Sequence, residues 1–144
     1  MSVDTISVAV TESDDRTPLI DAIRDIAVPT GATVVLARVY TKSEFEDTLA
    51  ELDFDAQPVP DDVARRSESV RELVTALEAV DVPHEVRGAV GEVGSEFVSL
   101  ADAADADLVF IQGRSRSPTG KALFGSTAQT VLLNATCPVT FVQE

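Results

Sequence analysis

Two periods of apolar residues alternate along this chain. Short runs of β-branched and apolar residues recur: ISVAV (6–10), TVVLARV (33–39), the Val86, Gly88, Val90 alternation, LVFI (108–111) and the stretch 139–142. Each predicts a strand, and the unbroken apolar character of TVVLARV suits a strand covered on both faces. Between them the period lengthens to that of a helix. Thr17-Pro18 supplies an N-cap and a first-turn proline for a helix carrying Leu19, Ile23 and Ile26, which should stop near Pro29-Thr30-Gly31. Val63, Val70, Leu73, Val74 and Leu77 predict one long helix over about 61–80, ended before Pro83. Further helices are expected over 93–104 and over 127–135, the latter capped by Ser126. The acidic segment 41–62 reads as irregular, with Phe45, Leu49 and Leu52 forming a short amphipathic turn or two. Strands alternating with helices in this way imply an α/β fold, a parallel sheet with helices on both faces.

At 144 residues the chain has room for one domain. The start, MSVDTISVAV, lacks a basic leader, and no stretch reaches the roughly 18 apolar residues needed to cross a bilayer. A cytoplasmic protein is the expectation. One cysteine, Cys137, and one histidine, His84, argue against an internal disulfide and a Cys/His metal cluster.

The net charge is −14, from 25 acidic and 11 basic residues, of which only Lys42 and Lys121 are lysine. Such a surface suits a high-salt, halophilic interior, where counterions screen self-repulsion, and it disfavours nucleic acid and anionic membranes as partners. The charge is unevenly spread. No acid occurs from 108 to 143, where the chain's overall density would place about six, while Arg114, Arg116 and Lys121 are all there. Burial explains the missing acids in LVFI and VTFV but not in the polar loop GRSRSPTGK.

That loop follows the fourth strand, and ligands of open parallel sheets sit beyond the carboxyl ends of the strands. Gly113 allows close backbone approach, Ser117-Pro118-Thr119-Gly120 forms a turn, and Gly125-Ser126 opens a helix whose free N–H groups attract anions. Named catalytic patterns fail. Thr119-Gly120-Lys121 lacks the upstream glycine and the following hydroxyl of a Walker loop, since Ser115 and Ala122 stand there. TESDDR after the first strand contains no dinucleotide-type glycine. A receiver-type phosphorylation site at Asp14 and Asp15 lacks its second carboxylate and its lysine, and His84 has no nucleophile motif nearby.

The segments ISVAV with Ser13 beyond it, GATVVLARV, DADLVFIQG and GSTAQTVLLNATCPVTFV, with their spacing, resemble the universal stress protein family over nearly the whole chain. The resemblance implies a five-stranded parallel sheet in the order 3-2-1-4-5, Rossmann-like. It also implies a nucleotide loop of the form G-x2-G-x9-G-[ST] that holds ATP phosphates. Gly113, Gly125 and Ser126 match it, Arg116 replaces the second glycine, and the spacer 117–124 is one residue short. Where nucleotide-binding members carry an aspartate this chain has Thr11, followed by Glu12. By the same matching, Val39 and Gln112 line the base and phosphate sides, and Thr127 joins the helix start.

Two readings stay open at this point. One is a non-catalytic stress-response module that binds a nucleotide such as ATP or AMP, or another phosphorylated anion, and acts through a dimer. The other is a protein-interaction module with an unknown partner and no physiological nucleotide. A slow ATPase is a third possibility, without a carboxylate base or metal ligand placed beside the loop. In either of the first two readings a homodimer is expected through the final strand at Val139, Phe141 and Val142, an apolar edge that is rarely left open.

Overall fold

A computed structural model describes residues 2–52, 58–113 and 125–144. The strands are β1 (Thr5–Ala9), β2 (Thr33–Tyr40), β3 (His84–Val90), β4 (Leu108–Gly113) and β5 (Val139–Gln143). The helices are α1 (Thr17–Thr30), α2 (Lys42–Glu51), α3 (Pro60–Arg66), α4 (Glu68–Glu78), α5 (Val93–Ala103) and α6 (Ser126–Asn134). All pairings are parallel and the strand order is β3-β2-β1-β4-β5, as expected. No helix among the described residues is long and apolar enough to span a membrane.

Alternation along the strands sends side chains to two separate cores. On one face Ile6, Val8, Val34, Leu36 and Phe110 pack under α1 and α4, through Leu19 and Ile23 of the first and Val70, Leu73 and Leu77 of the second. On the other, Ala9, Ala37, Val39, Val109 and Ile111 meet Phe97 and Ala101 of α5 and Val131 of α6. Each fully buried aliphatic side chain contributes roughly 1.5–3 kcal/mol. Both faces of the central strands are therefore dry, which is why TVVLARV shows no polar alternation.

Several local expectations are corrected. The single helix over 61–80 is two, because Ser67 adopts an extended conformation (φ −62°, ψ 131°) between α3 and α4. Its hydroxyl lies 2.7 Å from that of Ser69. The turn or two foreseen in 41–62 is instead a ten-residue helix, α2, opened by a capping box. There the Thr41 hydroxyl accepts the Glu44 N–H at 3.1 Å, and the Glu44 carboxylate accepts the Thr41 N–H at 2.9 Å. The N-cap of α6 is Gly125 rather than Ser126, which is already helical, and no side chain caps that end. At α1 the N-cap is Arg16 rather than Thr17, and the Thr17 N–H is taken by the Asp15 carboxylate at 3.0 Å. Pro29 lies inside the last turn of α1, which ends at Gly31 in the left-handed conformation (φ 70°). His84 opens the edge strand β3, with Nδ1 3.1 Å from the Val82 carbonyl oxygen.

Candidate functional site at the carboxyl ends of β1 and β4

From β1 the chain builds outward through β2 to β3, then returns to place β4 on the other side of β1. The crevice between the carboxyl ends of β1 and β4 is thus the switch point of the sheet, where such folds hold ligands. Four segments meet around it or lead into it: the β1–α1 loop, the end of β2, the end of β4 and the start of α6.

Thr11 begins the β1–α1 loop, its carbonyl accepting from Arg16 Nη2 at 2.9 Å, while Arg16 Nη1 pairs with Glu72 at 3.0 Å. Glu12 is not a lone negative charge facing the crevice. Its carboxylate lies 3.5 Å from Nη2 of Arg38, at the end of β2. Arg38 is largely buried, its side chain 12% exposed, and its guanidinium sits 4.7 Å over the Tyr40 ring. Its Nε is buried without a hydrogen-bond partner among the described residues. A pair with one partner 87% exposed contributes little to stability. Its consequence is electrostatic, since it sets a cation beside the Glu12 carboxylate.

The loop is also tied to the far end of the chain. The Glu144 Oε1 atom accepts the Asp14 N–H at 2.6 Å and the Ser13 hydroxyl at 3.1 Å, and the Glu144 N–H donates to the Gly113 carbonyl at 3.1 Å. Gln112 Nε2 donates to the Asp15 carbonyl at 2.9 Å, so this amide braces the two loops against each other. The Thr17 backbone N–H holds the Asp15 carboxyl below its ordinary value, with the Thr17 hydroxyl acting in the same direction.

Among the described residues, a Cβ at Gly113 would make only ordinary contact with the Phe141 ring, at 3.5 Å, and one at Gly125 would meet nothing within 4 Å. Neither residue has positive φ. The described part of the fold does not demand glycine at either place. Ser126 is exposed and Thr127 half-buried in the first turn of α6, where no acidic residue and no cap compete for the free N–H groups. Val39 is 3% exposed, its side chain committed to the core under α5, so only its backbone is left for a ligand. Arg116, together with Arg114 and Lys121, lies outside the described residues.

At the other expected surface, β5 is an edge strand. Val139 and Phe141 are half-buried against the α5–α6 core, whereas Val142 points into the core beneath α1 and α4 at 9% exposure. Sequence reasoning missed Arg38 and Glu144. The first was visible as a charge inside an otherwise apolar strand; the second left no local signal, because its partners are about 130 residues away.

The sequence profile of the Universal stress protein family matches residues 2–143. A universal stress protein of Mycolicibacterium smegmatis (strain ATCC 700084 / mc(2)155) is 39% identical over 79 residues, which span 54% of this chain and 61% of that protein. Among solved structures, the universal stress protein from Archaeoglobus fulgidus superposes with a TM-score of 0.71 at 27% identity, covering 96% of this chain and 98% of its own. A universal stress protein from the same organism in complex with dAMP gives a TM-score of 0.66 at 23% identity, with 99% of both chains covered. The family match over nearly the full length and the strand order agree, and this chain belongs to the universal stress protein family.

Proposed function

We propose that the protein is a non-catalytic, cytoplasmic stress-response module. It holds AMP, ATP or a similar phosphorylated anion at the carboxyl ends of β1 and β4, and it acts through a homodimer. The observation that carries this reading is that, among the described residues, neither backbone conformation nor packing requires glycine at Gly113 or Gly125. Backbone N–H groups at the start of α6, which no side chain of the described residues caps, suit a phosphate. The dAMP complex of the related Archaeoglobus protein supports the nucleotide class. Arg38 removes one objection to an anionic ligand, because it offsets the charge of Glu12. In this reading Thr11, Gln112 and the Val39 backbone lie on the sugar, phosphate and base sides, and Gly113, Arg116, Gly125, Ser126 and Thr127 hold the phosphates.

Calorimetric titration with AMP and ATP tests it. Binding is expected in the unmodified protein and should be lost in Arg116→Glu, with an unchanged circular dichroism spectrum. Undiminished affinity in that variant places the anion elsewhere, and release of phosphate from ATP would overturn the non-catalytic role.

One observation favours the second reading, an interaction module without a physiological nucleotide. The Asp14 N–H and Ser13 hydroxyl, both beside the crevice, are already held by the protein's own Glu144 carboxylate. Protein that purifies without nucleotide and takes up none at millimolar concentration would decide for it.

A further inference from the structure

The opposite end of the sheet holds a cavity of about 470 Å³ that the nucleotide site does not use. It lies between the carboxyl-terminal halves of α5 and α6, where the chain enters β4 and β5. Its volume is within the range of small-molecule sites. Phe97, Ala101, Val109 and Val131 give it an apolar floor. Its rim carries Asp102 and Asp105, and among the described residues no basic one lines it.

These features select a ligand class. Carbonyl ends of two helices, α5 at Ala103 and α6 at Asn134, approach the same end of the molecule, and a helix carboxyl end favours positive charge. Asp102 is fixed in place, accepting the Thr136 hydroxyl at 2.9 Å. Asp107 is held by the N–H groups of Asp4 and Thr5 at 2.9 and 3.1 Å and serves the start of β1. The Cys137 thiol lines the cavity and registers the local field: burial first, then the charges of Asp102 and Asp107, push it above the ordinary thiol value. An anion would be repelled by the carboxylates there, while a neutral apolar molecule would gain nothing from Asp102 and Asp105.

We propose that this cavity is a second ligand site, for a small organic cation with an apolar body, independent of the nucleotide site. The apolar part fills the space over Phe97 and Val131, and the cationic head reaches Asp102 and Asp105 at the mouth.

The probe is benzylammonium, titrated calorimetrically in molar potassium chloride, where the screening length falls to about 3 Å and loose attraction to the acidic surface is suppressed. Benzyl alcohol and benzoate serve as neutral and anionic matches of the same shape. One benzylammonium is expected per chain, with benzyl alcohol at least about tenfold weaker and benzoate undetectable. D102N and D105N, which keep shape and hydrogen-bonding capacity, should each weaken the cation without affecting benzyl alcohol. Cys137 is the chain's only cysteine, so a bulky maleimide there caps the cavity without mutation and should abolish binding. Ala135→Phe, which fills the cavity from α6, should do the same. Absent binding, equal binding of all three probes, or binding that survives both the cap and Ala135→Phe would overturn the proposal.

Discussion

The two edges of the sheet are handled in opposite ways. At β3 the chain covers its own edge region: α3 lies so close that a Cβ at Gly88 would stand 2.2 Å from the Pro60 carbonyl oxygen. The Asp61 carboxylate accepts the Gly88 N–H at 2.6 Å, using a donor that the sheet leaves over. At β5 no described segment does this. That strand contains neither proline nor lysine to discourage pairing, and α6, which leads into it, leaves Leu133 83% exposed. Among the described residues one edge is blunted by a helix and a carboxylate and the other is not, and an edge of the second kind suits association. The β5-to-β5 homodimer proposed above would place Val139 and Phe141 at the joint, with Val142 contributing backbone alone.

The largest effect should come from closing the gap at β3. Gly88→Ala forces backbone against backbone, so α3 must lift from the strand, and a loss of about 3 kcal/mol is expected in urea unfolding. Gly113→Ala, whose added methyl makes only ordinary contact, should stay within about 0.5 kcal/mol. Equal losses would mean that the close approach of α3 carries no energetic weight. At the other edge, Phe141→Asp should convert dimer to monomer in sedimentation at micromolar protein, because a two-fold joint places like charges near one another. A monomeric unmodified protein in high salt would break the comparison at its β5 side.

Much of this was readable from the chain. Strand positions and both covered faces follow from apolar periodicity, while the order 3-2-1-4-5, and with it the switch-point crevice, came from resemblance and not from spacing. What escaped has a common cause. Helix α2 buries no residue, so Phe45, Leu49 and Leu52 announced only a turn or two, and the fuller signal was the Thr41–Glu44 capping box. The break at Ser67 is a matter of backbone conformation, which the continuing apolar spacing on both sides concealed. The Glu12–Arg38 and Glu144–Asp14 contacts join distant segments, and local pattern holds no record of them.

Smaller effects should come from charge spread over the whole surface. With 14 excess negative charges, the melting temperature should rise by a few degrees between low and molar potassium chloride, about 1 kcal/mol of screened repulsion. A flat or falling curve would contradict the high-salt reading. The two edges need not respond equally, since the proposed dimer at β5 would add repulsion between copies that salt also screens.

The smallest effect isolates one carboxylate. The Thr41 backbone N–H holds the Glu44 carboxyl below its ordinary value, the Thr41 hydroxyl and the Arg38 charge reinforce this, and partial burial works against it. A depressed carboxyl stabilises the fold fully above its unfolded value, about 4.3, and that contribution disappears as pH falls through the lower folded value. Acid also relieves the general repulsion of this chain, so the net curve alone does not reveal one group. Glu44→Gln keeps the capping geometry and removes the charge. Unmodified protein should therefore exceed this variant by a few tenths of a kcal/mol at pH 7, most of the carboxylate being exposed, and the difference should shrink as pH falls below the unfolded value, about 4.3. A difference that stays constant with pH would assign the gain to the shape of the capping box and not to the charge on Glu44.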